Sequence, residues 1–273
     1  MPNASFALNH PYGRDNPIFG PINQERPESS GILMDAGLTM EDLQHAIDRI
    51  VETYLESMRL FRPPVDWVDL AQSISGVRTE IREEASGIGR KRAASRGKLC
   101  LGESLSGESR QRLAAQTIAH KLIPRVAEAL GAESGEKIPS SWVRILVERL
   151  MVPPVWFREV WRETDANLAK TLERFEGTPI DLVAQRLLDS PEPTILSIID
   201  HGALVHRASN GPRPGKTLWP LEKECLAYVS NFSRARRMSQ GGMTVWCWPI
   251  HKSDWKKEIL RTVASEDGDE PWQ

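Results

Sequence analysis

His120 is the residue around which hydrolytic chemistry would most naturally be built. It lies in a helical stretch, Gly107–Gly131 (GESRQRLAAQTIAHKLIPRVAEALG). A helix holds catalytic zinc when two imidazoles stand at i and i+4, so that both reach one ion, with a glutamate beside the first to activate the bound water. Neither requirement is met. Lys121 follows His120, and Gln116 and Pro124 stand four residues to either side. A second group of possible ligands, His201, His206, His251, Cys225 and Cys247, lies in the C-terminal third, but no spacing there matches a zinc motif. GxSxG is absent, and none of the three cysteines sits in a local catalytic signature. Gly87–Arg92 (GIGRKR) lacks the GxGxxG and GxxxxGK[ST] spacings and reads as a solvated hairpin turn.

The elements that would position these residues follow from periodicity and punctuation. Residues 1–37 are rich in Pro, Gly, Asn and Ser without periodicity and read as an arm. Thr39 and Asp42 form a capping-box pattern before Leu43, Ile47, Ile50, Val51, Tyr54, Leu55 and Met58 at helical spacing. Pro63-Pro64 stops that helix, and Asp66 caps a short one carrying Trp67, Leu70, Ala71 and Ile74. Val77–Ile81 and Lys98–Leu101 read as two strands of a hairpin. The His120 helix runs from Ser106 as N-cap to Gly131 past its end, and Pro124 is expected to kink or split it.

A further helix, capped by Ser140, is expected to bury Trp142, Ile145, Leu146 and Leu150 up to Pro153-Pro154. Three short helices follow at 155–163, 167–175 and 180–188. The last two flank Gly177 and could be taken for a helix-turn-helix; packing is the preferred reading, because only Arg186 is offered as a groove contact. Beyond Ser190-Pro191 the pattern becomes mixed: strands at 194–199 and 203–206, a helix at 221–228, a strand at 243–250, and a closing helix at 255–263. Trp246 and Trp248 share one strand face, and core packing is their expected role.

Roughly residues 40–190 resemble the ImmA/IrrE family of zinc metallopeptidases. The resemblance lies in the order of quotable segments: PPVDWVDLAQSISG, RGKLCLGESLSGESRQR, the His120 helix, LVERLMVPPVWF, and LERFEGTP followed by LVAQRLLD. In that family a helix of the form RF-x-x-AHE-x-x-H supplies two zinc ligands and the catalytic glutamate, and a second helix ends in LLMP. Matching TIAH to the family's helix places His120 at the first ligand, Lys121 at the glutamate and Pro124 at the second histidine. An ungapped match to relatives with HExxEH is preferred. It places Gln116 at the first histidine, Thr117 at the glutamate, His120 before the last histidine and Lys121 at that histidine. Counting back from LMVP, the third-ligand position falls near Ser140. On either alignment the catalytic triplet is erased, so Gln116, Thr117, His120 and Lys121 mark vestigial positions and His120 is the sole metal candidate.

The expected fold is therefore α+β: an arm (1–37), a mainly helical zincin-like domain with a small sheet (38–190), a small C-terminal α+β lobe (191–265) and a polar tail (266–273). The resemblance implies a pseudoenzyme with no bound cofactor that binds a protein partner such as a helix-turn-helix repressor and regulates transcription in bacterial stress or mobile-element responses. The alternative is an active zinc-dependent endopeptidase that cleaves such a repressor through a rearranged site using His120 and Glu128 or Glu148. At 273 residues there is ample core for one large or two small domains. A net charge of −2 gives no general attraction to DNA or anionic membrane, so direct nucleic-acid binding is not expected. Three scattered cysteines, no signal-peptide pattern and no spanning apolar run point to the cytoplasm.

Overall fold

The computed structural model describes residues 38–74, 78–82, 98–102, 105–132, 138–252 and 255–264. The N-terminal arm, the GIGRKR turn and the acidic tail lie outside them. Helix α1 (Met40–Ser57) opens with the expected capping box: the Thr39 hydroxyl accepts from the Asp42 amide, and the Asp42 carboxylate accepts from the Thr39 amide at 2.7 Å. Helix α2 (Trp67–Ser73) is capped by Asp66, whose Oδ1 accepts from the Val68 and Asp69 amides. Strands β1 (Arg78–Arg82) and β2 (Lys98–Gly102) pair in parallel, which corrects the hairpin reading. Parallel strands cannot be joined by a tight turn and require a crossover.

Helix α3 (Gly107–Ala129) starts at the Ser106 cap and runs unbroken through Pro124. The proline removes one donor, releasing the carbonyl of His120 from the i→i−4 ladder, but its exposed position leaves that carbonyl within reach of water. The helix is held by buried Ala114, Ala115, Ile118, Ala119, Leu122 and Val126, which outweigh the lost bond. Gly131, at φ +75°, ends it as anticipated. Helix α4 (Ser140–Met151) has Pro139 at the N-cap with no side-chain cap bond; Ser140 is its first helical residue, not its cap. Short helices α5 (Pro154–Glu163), α6 (Leu168–Arg174) and α7 (Ile180–Gln185) follow, then a 3-10 turn (Arg186–Asp189). Leu168, Phe175, Leu182, Val183 and Ala184 are buried, and Arg186, the residue offered as a groove contact, is itself buried and bonded to Asp189 at 3.1 Å.

The C-terminal region is a five-stranded antiparallel sheet in the order β4-β3-β7-β6-β5, with one helix, α8 (Pro220–Phe232), on its outer face. The strands are β3 (Thr194–Asp200), β4 (Ala203–Ser209), β5 (Arg236–Gln240), β6 (Met243–Lys252) and β7 (Trp255–Ala264). Two expectations fail here: 255–263 is a strand and not a helix, and β5 was not anticipated. One sheet face presents Leu196, Ile198, Trp248 and Ile259 to the same apolar core that α1–α7 build. Trp248 meets Trp161 of α5 edge-on at 6.1 Å, and Phe157 stacks on Trp161 at 5.7 Å. The other face buries Val245, Cys247 and Leu260 against Leu221, Cys225 and Val229 of α8. The fold is α+β, and no described helix is long and apolar enough to cross a membrane.

Candidate functional site

Residues 112, 116 and 120 of α3 stand one helical turn apart, so their side chains form a single stripe. Arg112, Gln116, His120 and Ile123 on that side face Ser140, Val143, Arg144 and Val147 of α4, with Ile138 at one end. Between them lies a cavity of about 370 Å³, at the small end of the range for ligand sites. The buried face of α3 sets this orientation: with Ala115, Ile118, Ala119 and Leu122 in the core, Gln116 and His120 must turn toward α4.

The four vestigial positions therefore separate. Gln116 and His120 line the cleft, joined by Ser140. Thr117 points into the core, where its hydroxyl bonds back to the Leu113 carbonyl at 3.0 Å. Lys121 is exposed and is not among the residues lining the cleft. Of the acids in the peptidase reading, Glu128 is exposed on α3. Glu148 sits one turn beyond Arg144, its Oε1 4.0 Å from the Arg144 Nε.

Burial dominates the electrostatics. It lowers the His120 imidazole below its ordinary value, although the residue as a whole is exposed. It also lowers the Arg112 guanidinium, against the attraction of Glu148. The Glu148 carboxyl is raised by burial, opposed by Arg186, Arg144, Arg112 and Arg149. Sequence reasoning missed Arg112 and Arg144. The first was within reach, one turn ahead of Gln116 on the same stripe; the second required knowing which side of α4 faces α3.

This donor set does not fit zinc. A tetrahedral site wants imidazoles, thiolates or carboxylates converging at about 2.0–2.3 Å. The cleft offers one imidazole, one amide and one hydroxyl, beside two guanidiniums that repel a dication. Among the described residues no cluster of three His, Cys, Asp or Glu is placed to hold a metal ion.

The C-terminal candidates are dispersed: His201 is exposed in the β3–β4 turn, His206 lies on β4, and Cys225, Cys247 and His251 lie on the α8 side of the sheet. Cys225 and Cys247 are free thiols on the α8 side, and the Cys225 sulfur is 3.6 Å from the Arg236 carbonyl, whose residue pairs with Cys247. The Cys247 thiol is pushed well above its ordinary value by its hydrogen bond with Cys225 and by burial. His251 bridges two elements: Nδ1 lies 3.1 Å from the Ser233 hydroxyl and Nε2 3.1 Å from the buried Glu258 carboxylate. This has the outline of a serine–histidine–acid relay. Ser233, however, is the C-cap of α8, where carbonyl ends concentrate negative charge and would oppose an oxyanion, so the relay acts as a latch between helix and sheet.

His206 lies on the helix-facing side of β4, and its Nε2 is buried without a hydrogen-bond partner among the described residues. Burial lowers its pKa below 6.5, against a smaller raising effect from Asp181. The unfolded chain then takes up the proton first, so this contribution to stability is intact above about 6.5 and drains away as pH falls toward the folded value. His206→Gln is expected to flatten the fall in unfolding free energy between roughly pH 7 and 5, measured by urea titration at each pH. An unchanged slope would place the titrating group elsewhere.

No family model matches the chain, and no curated protein matches it. A solved structure described as a Mycobacterium tuberculosis transcriptional regulator is similar over 81% of this chain and 76% of its own, with a TM-score of 0.55 and 16% identity. Identity that low speaks to the shared fold alone.

Proposed function

We propose that this chain is a non-catalytic regulatory protein that descends from a zincin-like, ImmA/IrrE-type peptidase and acts by binding a protein partner, with helix-turn-helix repressors as the partner class. The observation that supports this reading is the chemistry of the α3–α4 cleft. The residues there at i and i+4 are Gln116 and His120, and their neighbours are Arg112 and Arg144. A water without a metal keeps its bulk pKa of about 15.7, so such a cleft has no hydroxide nucleophile at neutral pH. The regulator-like structural neighbour is consistent with a regulatory role.

The second reading, a zinc endopeptidase with a rearranged site, draws on His120 in the cleft and on the raised Glu148 carboxyl nearby. Metal stoichiometry separates the two. Tag-free protein dialysed against micromolar zinc is expected to retain almost none, and His120→Ala to make no difference. One zinc per chain, lost in His120→Ala together with peptidase activity, would replace the first reading with the second.

A further inference from the structure

Buried cysteines ordinarily serve as small apolar fillers. Cys225 and Cys247 differ in being buried side by side. Cys225 lies on α8 and Cys247 on β6, both fully buried in the same apolar layer as Leu221, Val229, Val245 and Leu260. The Cys225 sulfur is 3.6 Å from the Arg236 carbonyl, and Arg236 stands directly opposite Cys247 in the β5–β6 register. The two side chains hydrogen-bond to each other, and both are free thiols. Their surroundings are unequal. The bond from Cys247, helped by the Arg236 charge and opposed by burial, holds the Cys225 thiol below its ordinary value. The same bond and burial hold the Cys247 thiol well above its own. Cys225 is therefore the better nucleophile of the pair.

We propose that Cys225 and Cys247 form a modification site at which a hydroperoxide installs a reversible disulfide between α8 and β6. The Cys225 thiolate attacks the near oxygen of the peroxide. The O–O bond breaks, hydroxide leaves and takes up the proton that Cys225 lost, and Cys225 becomes a sulfenic acid. The Cys247 sulfur then attacks the Cys225 sulfur, giving up its proton and displacing a second water. Two electrons pass from the thiols to the peroxide, and a dithiol reductant returns them. The sulfurs, already in hydrogen-bond contact, need only close to about 2.05 Å. Access runs past β5, an exposed edge strand paired to β6 alone among the described strands, and such elements open at less cost than global unfolding. Glu222 already fastens the N-terminus of α8 to β4, and Ser233 fastens its C-cap to His251. The disulfide makes the attachment between them covalent. The site owes nothing to the α3–α4 cleft, so it stands apart from the non-catalytic reading.

The test is treatment of the reduced, folded full chain with hydrogen peroxide, followed by denaturing alkylation, intact mass and peptide mapping. The chain is expected to become two hydrogens lighter, with Cys225 and Cys247 protected from alkylation and joined in one peptide pair. Dithiothreitol is expected to restore both thiols. The urea midpoint should rise on oxidation and return on reduction, because the link constrains the unfolded chain. Cys247→Ser is expected to leave Cys225 as a sulfenic acid that dimedone labels, whereas Cys225→Ser leaves Cys247 unoxidised. The map on the unsubstituted chain decides the matter if either variant misfolds. Full alkylation of both thiols after excess peroxide would overturn the proposal. So would a link to Cys100, a link between chains, or a Cys225–Cys247 link that forms only in urea. Sulfenic acid on Cys247 in Cys225→Ser would overturn the assigned order of attack.

Discussion

Glu222→Ala is expected to lower the unfolding free energy by about 3–5 kcal/mol, the largest effect of any single substitution in the sheet region. Glu222 is fully buried at the N-terminus of α8. Its carboxylate accepts two hydrogen bonds from Arg207 of β4, at 3.1 and 2.9 Å, one from the Thr262 hydroxyl of β7 at 2.6 Å, and one from the Trp219 amide at 2.8 Å. Arg207 is 5% exposed and stacks over the Trp219 ring. Alanine would leave that guanidinium buried without its carboxylate, remove the acceptor that caps α8, and orphan the Thr262 hydroxyl. Urea denaturation reads the loss as a lower midpoint at unchanged slope. The double variant Glu222→Leu with Arg207→Met is expected to cost less than Glu222→Ala alone, because it removes both charges together. A loss below about 1 kcal/mol would mean that water enters and solvates Arg207.

Asp189→Ala is expected to cost about 2–4 kcal/mol, a figure reduced from that for a fully buried pair because Asp189 is partly exposed. Its Oδ2 meets Arg186 at 3.1 Å and Arg149 at 3.3 Å, and both arginines are almost wholly buried. Asp48 of α1 reaches Arg149 at 3.3 Å but makes no hydrogen bond to Arg186, whose acid is Asp189, so it does not replace the lost acid there. Like charges that had shared one carboxylate would then repel across α4 and the 3-10 turn. Asp48→Ala should cost less, because Arg149 keeps Asp189. The order of the two midpoints checks the assignment: Asp48→Ala matching or exceeding Asp189→Ala would relocate the centre of the network to α1.

Local signals in the sequence proved legible. Thr39 with Asp42, Asp66 and Ser106 cap the helices as read, because capping bonds close within three residues and need no tertiary context. Strand β7 was misread for a physical reason. Trp255, Ile259, Leu260 and Val263 fall at helical spacing, while the strand lies in the middle of the sheet with both faces covered. A strand buried on two sides carries no alternation, so period two vanishes. Its buried Lys257 and Glu258 hid it further; both are bonded to distant partners, Asp181 for the first and His251 and Ser230 for the second. Strand β5 escaped because RRMSQ is an exposed edge with little apolar content. In the cleft, His120 and Gln116 could be found from helical spacing alone. Arg144 could not, because nothing local to α4 states which neighbour it faces.

The sheet's inner face, with Leu196, Ile198, Trp248 and Ile259 set into the helical core, has a consequence for how such a chain can evolve. Domains joined through polar, weakly packed boundaries can be shuffled, each arriving with its own stability. Here recombination near Ser190 would separate two halves of one interior, leaving a bare apolar sheet on one side and the opened flank of Trp161 on the other.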